Sequence, residues 1–134
     1  MGNYGGGDRV VFVSPLDIAD AVAEELLTTT EKRKIRYVGS EEMTCNEAAG
    51  IIGTAIGKPW LQWALLTDKQ MLLGLKMAKM PSKVAELLVE MQAAMHSGEP
   101  LRNFHKNNPR MGKVTLREFA REFAEVYNKK YLSL

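Results

Sequence analysis

VVFVSPLDIADAVAEELL, Val10 to Leu27, is the stretch from which the rest of the chain can be read. Val10, Val11, Phe12 and Val13 form a short run of β-branched and aromatic residues, which suits a buried strand. The pattern then changes period at one point. Ser14 can cap a helix, and Pro15 suits the first helical position, where its missing N–H has no partner anyway. Asp17 stands at the third helical position, completing an S-x-x-D capping box with a carboxylate near the positive end of the helix dipole. Leu16, Ala19, Val22, Ala23 and Leu26 follow at helical spacing. A strand turning sharply into a capped helix is half of a βαβ unit, and Lys34–Gly39 (KIRYVG) supplies a candidate second, parallel strand.

The totals bound the rest. A chain of 134 residues is one domain by default and can bury a core without disulfides. With 46% hydrophobic and 25% charged residues the composition is that of a soluble globular chain, and a net charge of +2 is too small to argue for nucleic acid or membrane. The single cysteine, Cys45, excludes an internal disulfide and fits a reducing, cytoplasmic compartment. No apolar run has the length of a transmembrane helix, and the N-terminus has no apolar core of the signal-peptide kind.

Residues 1–9 read as a flexible lead-in. Gly5, Gly6 and Gly7 precede the first strand, whereas a phosphate-cradling loop would follow one. Residues 10–134 read as a single domain. Thr28–Arg33 is a polar turn, and Thr44 with Glu47 forms a second capping box whose helix Gly57 ends. Trp60–Leu66 (WLQWALL) reads as a third strand. Thr67 or Asp68 caps a helix that Pro81 stops, and Ser82 caps the next, with Val84, Leu87, Leu88, Met91, Ala94 and Met95 on one stripe. Gly98 and Pro100 close it. Leu101–Lys113 is loop by composition. Thr115 and Glu118 form a third capping box before a helix carrying Leu116, Phe119, Ala120, Phe123 and Tyr127 on one face, and the tail frays through Lys129 and Lys130. The expectation is an α/β fold, a short β-α-β-α-β portion followed by a helical lobe.

Several chemistries are missing. A nicotinamide-binding fold needs G-x-G-x-x-G after its first strand. Gly50, Gly53 and Gly57 instead lie within and at the end of a helix. No Tyr-x-x-x-Lys pair exists, since Tyr4, Tyr37 and Tyr127 are followed four residues on by Asp8, Glu41 and Tyr131. His96, His105 and Cys45 lack metal-ligand spacing, and His96 fits a helix C-terminus. Cys45 at the start of a helix could be a thiolate nucleophile, but a small half-buried cysteine is the plainer reading. The eight methionines read as core or as an adaptable pocket wall. Arg102, Lys106, Arg110, Lys113 and Arg117 follow one another without an intervening acid, around Phe104 and His105. That basic stretch could meet phosphates, although Glu118, Glu122 and Glu125 follow at once.

Order and motifs together resemble the C-terminal half of the NmrA-like group of atypical extended short-chain dehydrogenase/reductases, which are NAD(P)-binding and NAD-dependent epimerase/dehydratase-like. Phe12–Leu27 resembles the group's F-V-x-x-x-D-I-A-x-A segment. Ile35–Pro59 resembles its Y-x-L-T-G-P-E-x-x-T-x-x-E-x-A segment and the G-R-P beyond, with Ser40 where Pro is common. Thr115–Ala124 resembles its closing helix. The group's glycine-rich loop and the βα units that carry the cofactor have no counterpart here. The resemblance implies that Val10–Val13 joins a small sheet with Trp60–Leu66, and that Ile35–Gly39 is the last strand of a large Rossmann sheet. It implies a substrate pocket at Phe12, Ser14 and Pro15, with residues of the helical lobe as further candidates. It also implies NAD(P) as the cofactor of the group, with none bound by this chain alone and no catalytic or metal-ligating residue carried over.

The expected function is therefore the substrate-side portion of an NmrA-like NAD(P)-dependent oxidoreductase or epimerase-like protein, a fragment or truncated product not catalytically competent alone. Its partner would be an upstream Rossmann portion. One alternative is a non-catalytic regulatory module that pairs with a second copy through an exposed strand edge or its Met-rich helical face. Another is a weak nucleic-acid binder using the basic stretch. No membrane partner is expected.

Overall fold

The structure is a computed structural model, and it describes residues 1–28 and 35–131. Strand β1 (Arg9–Phe12) runs through Ser14 into helix α1 (Pro15–Leu27). Ser14 caps α1 by accepting the Leu16 N–H at 3.2 Å, and Pro15 occupies the first turn. After residues 35–40 the chain forms β2 (Glu41–Thr44) and helix α2 (Cys45–Ala55), then α3 (Asp68–Met77), α4 (Ser82–His96), α5 (Glu99–Asn107) and α6 (Leu116–Tyr131). Among the described residues the architecture is thus a two-stranded sheet with six helices, an α/β fold weighted towards its helical lobe.

The sheet differs from the one the sequence suggests. β1 pairs antiparallel with β2, in the register Arg9↔Thr44, Val10↔Met43, Val11↔Glu42 and Phe12↔Glu41. Of the parallel strand expected over Lys34–Gly39, Lys34 lies outside the described residues, and Ile35–Gly39 joins no ladder. The chain turns back at Ser40, whose N–H donates to the Phe12 carbonyl at 2.8 Å, so the residues that reach β1 are the polar EEMT that follow. Arg36 and Val38 border a hollow with α1, while the Tyr37 ring meets Phe104 of α5 edge-on. Gly39 is wedged between Val11 and Phe104, where a Cβ would come within 2.3 Å of the valine side chain.

Trp60–Leu66 is not a strand of this sheet either. Its main chain meets the N-terminus, with a parallel bridge between Leu65 and Gly2, and the Trp63 indole N–H donates to the Tyr4 carbonyl. The lead-in is correspondingly tied down. Asn3 Nδ2 donates to Asp68 and to the Val89 carbonyl, and the Cys45 and Asn46 N–H groups donate to the Asp8 and Gly6 carbonyls. Residues 2–8 therefore belong to the body of the fold.

Helix ends follow local chemistry. Thr44 with Glu47, Thr67 with Gln70 and Thr115 with Glu118 each make reciprocal side-chain and main-chain bonds. Ser82 does not cap α4, because the helix already begins there behind Pro81. Leu101–Lys113, expected as loop, contains most of α5. Gly98 in the left-handed conformation turns the chain, and Pro100 then sits in the first turn, where proline starts a helix as readily as it stops one. Asn107, Asn108 and Pro109 end that helix. The expected fraying at Lys129–Lys130 is not seen, since α6 runs on to Tyr131; of the Thr28–Arg33 turn, residues 29–33 lie outside the described residues.

The core is built from small side chains. α2 packs against α6, α3 against α4, and α4 against α5. Ala48, Ala49 and Gly53 of α2 and Ala120 and Ala124 of α6 are buried, which lets those two helices approach closely. Gly53 also admits the turn after α2, where a Cβ would lie 2.5 Å from the Lys58 carbonyl oxygen. Of the methionines, Met43 is in the core, while Met77, Met91 and Met111 are exposed.

Candidate functional site

The change from strand to helix at Ser14 makes one wall of an apolar cleft. Phe12, Val13, Ser14 and Pro15 line it, so the three residues singled out in the sequence, Phe12, Ser14 and Pro15, come together. Ser40 and Glu41, at the start of β2, form its edge. Ile52 of α2 contributes from below, and Val114, Thr115, Leu116 and Phe119 at the entry to α6 form the opposite wall. The cavity measures about 370 Å³, within the usual range for small-molecule clefts and apolar in the usual way. Phe119 continues outward along α6 into a row of rings, stacking on Phe123 with centroids 6.1 Å apart, and Phe123 meets Tyr127 at 6.0 Å.

One carboxylate holds the two walls together. Asp17, only 6% exposed, accepts the Ser40 hydroxyl at 2.5 Å and the Lys113 and Val114 N–H groups at 2.9 and 3.1 Å. Ser40 Oγ in turn accepts the Ser14 N–H at 2.7 Å. The Ser40 hydroxyl, then the Lys113 N–H, hold the Asp17 carboxyl below its ordinary range, with a smaller share from Val114. Asp17 therefore does not complete the capping box expected of it. It leaves the Ser14 main chain and ties α1, the 39–40 turn and the segment before α6 into one unit. Gly112 makes room for it, since a Cβ there would stand 2.2 Å from the carboxyl carbon.

The other candidates are placed elsewhere. Cys45 is wholly buried, and burial, then the Asp8 charge, push its thiol up, opposite to what a nucleophile needs. His96 ends α4, as its position suggests, with Nδ1 2.8 Å from Asp8 Oδ2, and His105 Nε2 lies 2.6 Å from Glu42 Oε2. No group of three His, Cys, Asp or Glu side chains that could hold a metal occurs among the described residues. The basic stretch is dispersed. Arg102 donates to the Ser97 carbonyl, Arg110 borders a hollow with Glu24 and Asp20, and Arg117 shares an outer groove with Glu42 and Glu47. No helix among the described residues is long and apolar enough to cross a membrane.

The strand-to-helix turn does not fit a dinucleotide. Its residues are Val13, Ser14 and Pro15, with no glycine to let a pyrophosphate approach; Pro15 has no N–H, and Ser14 Oγ already takes the Leu16 N–H. The Gly5–Gly7 turn holds a carboxylate instead, since the Gly5 N–H donates to Asp8 Oδ2 at 2.8 Å.

Asp17, Ser40, Glu41 and the Val114–Phe119 wall were not singled out from the sequence. The sequence signals for Asp17 are an acid at the third helical position, which is also what a cap partner looks like, and its match to the D of the F-V-x-x-x-D-I-A-x-A segment.

No protein-family model matches the sequence, and no curated protein matches it. Solved structures do match the fold. Citrobacter sp. triphenylmethane reductase complexed with NADP(H) aligns with a TM-score of 0.67 at 21% identity, over 92% of this chain and 44% of that one. The NADPH-dependent quinone oxidoreductase QOR2 of Escherichia coli aligns with a TM-score of 0.66 at 16% identity, over 90% of this chain and 45% of that one. A second structure of the Citrobacter reductase gives a TM-score of 0.66 at 20% identity, over 92% and 43%. At these identities the likeness is one of fold, and the chain spans less than half the length of the enzymes it matches.

Proposed function

We propose that this chain is the substrate-side portion of an NmrA-like, NAD(P)-dependent reductase of the short-chain dehydrogenase/reductase type. The apolar cleft at Phe12, Ser14 and Pro15 takes a bulky, conjugated substrate, and the dinucleotide is held by residues other than these. The observation that carries this reading is the cleft itself: an apolar cavity whose walls are tied together through Asp17 sits at a strand-to-helix turn that lacks the donors for a pyrophosphate. The matched fold supports it, since both named neighbours are NADP(H) or NADPH enzymes, one acting on triphenylmethane compounds and the other on quinones. The dinucleotide-binding part would join along Ile35–Val38, where no main-chain N–H or C=O has a partner among the described residues. Alone, the chain neither oxidises NADPH nor binds it.

Titration of naphthoquinone into the labelled chain, followed by NMR, tests the cleft. Shifts should be confined to residues 12–15, 40–41, 52 and 114–119. They should vanish in Val13→Trp, which fills the cleft from its exposed rim. Shifts scattered over the surface, or unchanged by Val13→Trp, would reject the site.

The unpaired Ile35–Val38 main chain also favours a second reading, a module that pairs with its own copy along that edge. Ile35 and Leu26 beside it are 85% and 78% exposed. A single monomer mass at millimolar concentration in light scattering removes this reading.

A further inference from the structure

We propose that the cleft binds the hydrocarbon end of its substrate alone. An unsubstituted aromatic ring system or a branched alkyl group enters it, and the reducible polar group stays outside, past the rim where Val13 and Phe119 are 40% and 46% exposed. The inference rests on reading this cleft as the substrate site. Phe12, Pro15, Ile52, Leu116 and Phe119 supply its walls, and almost all of the surface that it offers a ligand is apolar.

The hydrogen-bond donors that border the cavity are largely spent within the protein. On the α6 wall each main-chain N–H has its acceptor: Val114 donates to Asp17, Thr115 to Glu118, Leu116 to Glu41 and Phe119 to the Thr115 carbonyl. The Thr115 hydroxyl donates to Glu118. At the edge, the Ser40 N–H goes to the Phe12 carbonyl and its hydroxyl to Asp17, while Pro15 has no N–H to give. The Val13 N–H and the Ser14 hydroxyl hydrogen are left without a partner among the described residues, and both belong to the strand-to-helix turn at the exposed rim.

A hydrocarbon group that enters this space gives up only its contact with water, which favours binding. A hydroxyl or carbonyl carried to the same depth gives up its hydrogen bonds to water for walls that offer almost none. An apolar site discriminates against one added hydroxyl by up to about a hundredfold, so the substrate binds best with its polar end turned outward. The substrate class narrows accordingly. It is a conjugated acceptor, such as a quinone, whose ring distal to the reacting centre is bare or alkylated rather than hydroxylated, carboxylated or sulfonated.

The test exchanges one methyl group for a hydroxyl at either end of one probe. 6-Ethyl- and 6-hydroxymethyl-1,4-naphthoquinone differ at the hydrocarbon end, and the 2-ethyl and 2-hydroxymethyl isomers differ at the quinone end. Each is titrated into the whole chain by NMR. At position 6 the exchange should weaken binding about ten- to a hundredfold. At position 2 it should change affinity by less than about threefold. In the complex with unsubstituted naphthoquinone, H6 and H7 should give NOEs to the Ile52 and Leu116 methyl groups, and H2 and H3 none. Equal losses at both ends, a larger loss at position 2, no loss at either, or NOEs from H2 and H3 to those methyl groups overturns the selection and leaves the cleft standing. If neither ethyl probe shifts residues 12–15, 40–41, 52 and 114–119, the substrate-site reading falls and this inference with it.

Discussion

Replacing Gly112 by alanine adds one methyl group where there is no room for it. The new Cβ would lie 2.2 Å from the Asp17 carboxyl carbon and 2.3 and 2.6 Å from its two oxygens. Folding can continue only if the carboxylate moves, and it then leaves the N–H groups of Lys113 and Val114 and the Ser40 hydroxyl. Overpacking of this kind costs about 1–3 kcal/mol, and an amide left without its acceptor about 1–3 kcal/mol where water cannot replace it. Lys113 is exposed and Val114 is not, so one orphaned amide is the fair count, for a total of about 3–4 kcal/mol. With a urea slope of about 1.5 kcal/mol/M for a chain of this size, the midpoint should fall by about 2 M. Gly74→Ala is the opposite control. It lies exposed within α3 with nothing within 4 Å of the added carbon, and should raise stability by about 0.5–1 kcal/mol. In an Asp17→Ala background the cost of Gly112→Ala should shrink, because the atoms it strikes are gone. A change below about 0.5 kcal/mol for Gly112→Ala alone, the scale of an ordinary surface substitution, would refute the knot at Asp17 as the link between the cleft walls.

The Asp8–His96 contact should make stability depend on pH. The Asp8 hydrogen bond and charge hold the His96 pKa above its ordinary 6.5, so its contribution is full below that value and is lost as pH rises through the folded pKa. Burial pushes the Asp8 carboxyl up, but the Gly5 N–H and His96 outweigh it, so its contribution is present above about pH 4 and fades on further acidification. Urea midpoints across pH 5–9 should therefore decline through neutrality in the native chain and flatten there in His96→Gln. Thr44→Ala removes the acceptor for the Glu47 N–H at the start of α2 and should cost about 1 kcal/mol by urea denaturation. Cys45 should react with iodoacetamide no faster than the chain unfolds, and labelling at the rate of a free thiol would contradict its burial.

Features whose cause is local are legible in the sequence. Ser14–Pro15, Thr44–Glu47 and Thr115–Glu118 carry their reasons within four residues, and each sits at a helix start. Pairing was not local. Ile35–Gly39 and Trp60–Leu66 have more strand-like side chains than Glu41–Thr44, yet the turn at Ser40 brings the latter against β1. Pro100 shows the ambiguity of one residue that both ends and begins helices; only the left-handed Gly98 before it decides. In the site, the strand-to-helix turn was legible, but the opposite wall lies about a hundred residues away in sequence. Asp17 joins the two by bonds to main-chain N–H groups, which leave no trace in residue type.

The central claim is that this chain builds a substrate cleft and leaves the dinucleotide to other residues. Calorimetric titration of NADPH, then NADH, into the purified chain tests it most directly. The account predicts no saturable heat for either nucleotide. Saturable micromolar binding, with NMR shifts at a site among residues 1–134, would contradict it.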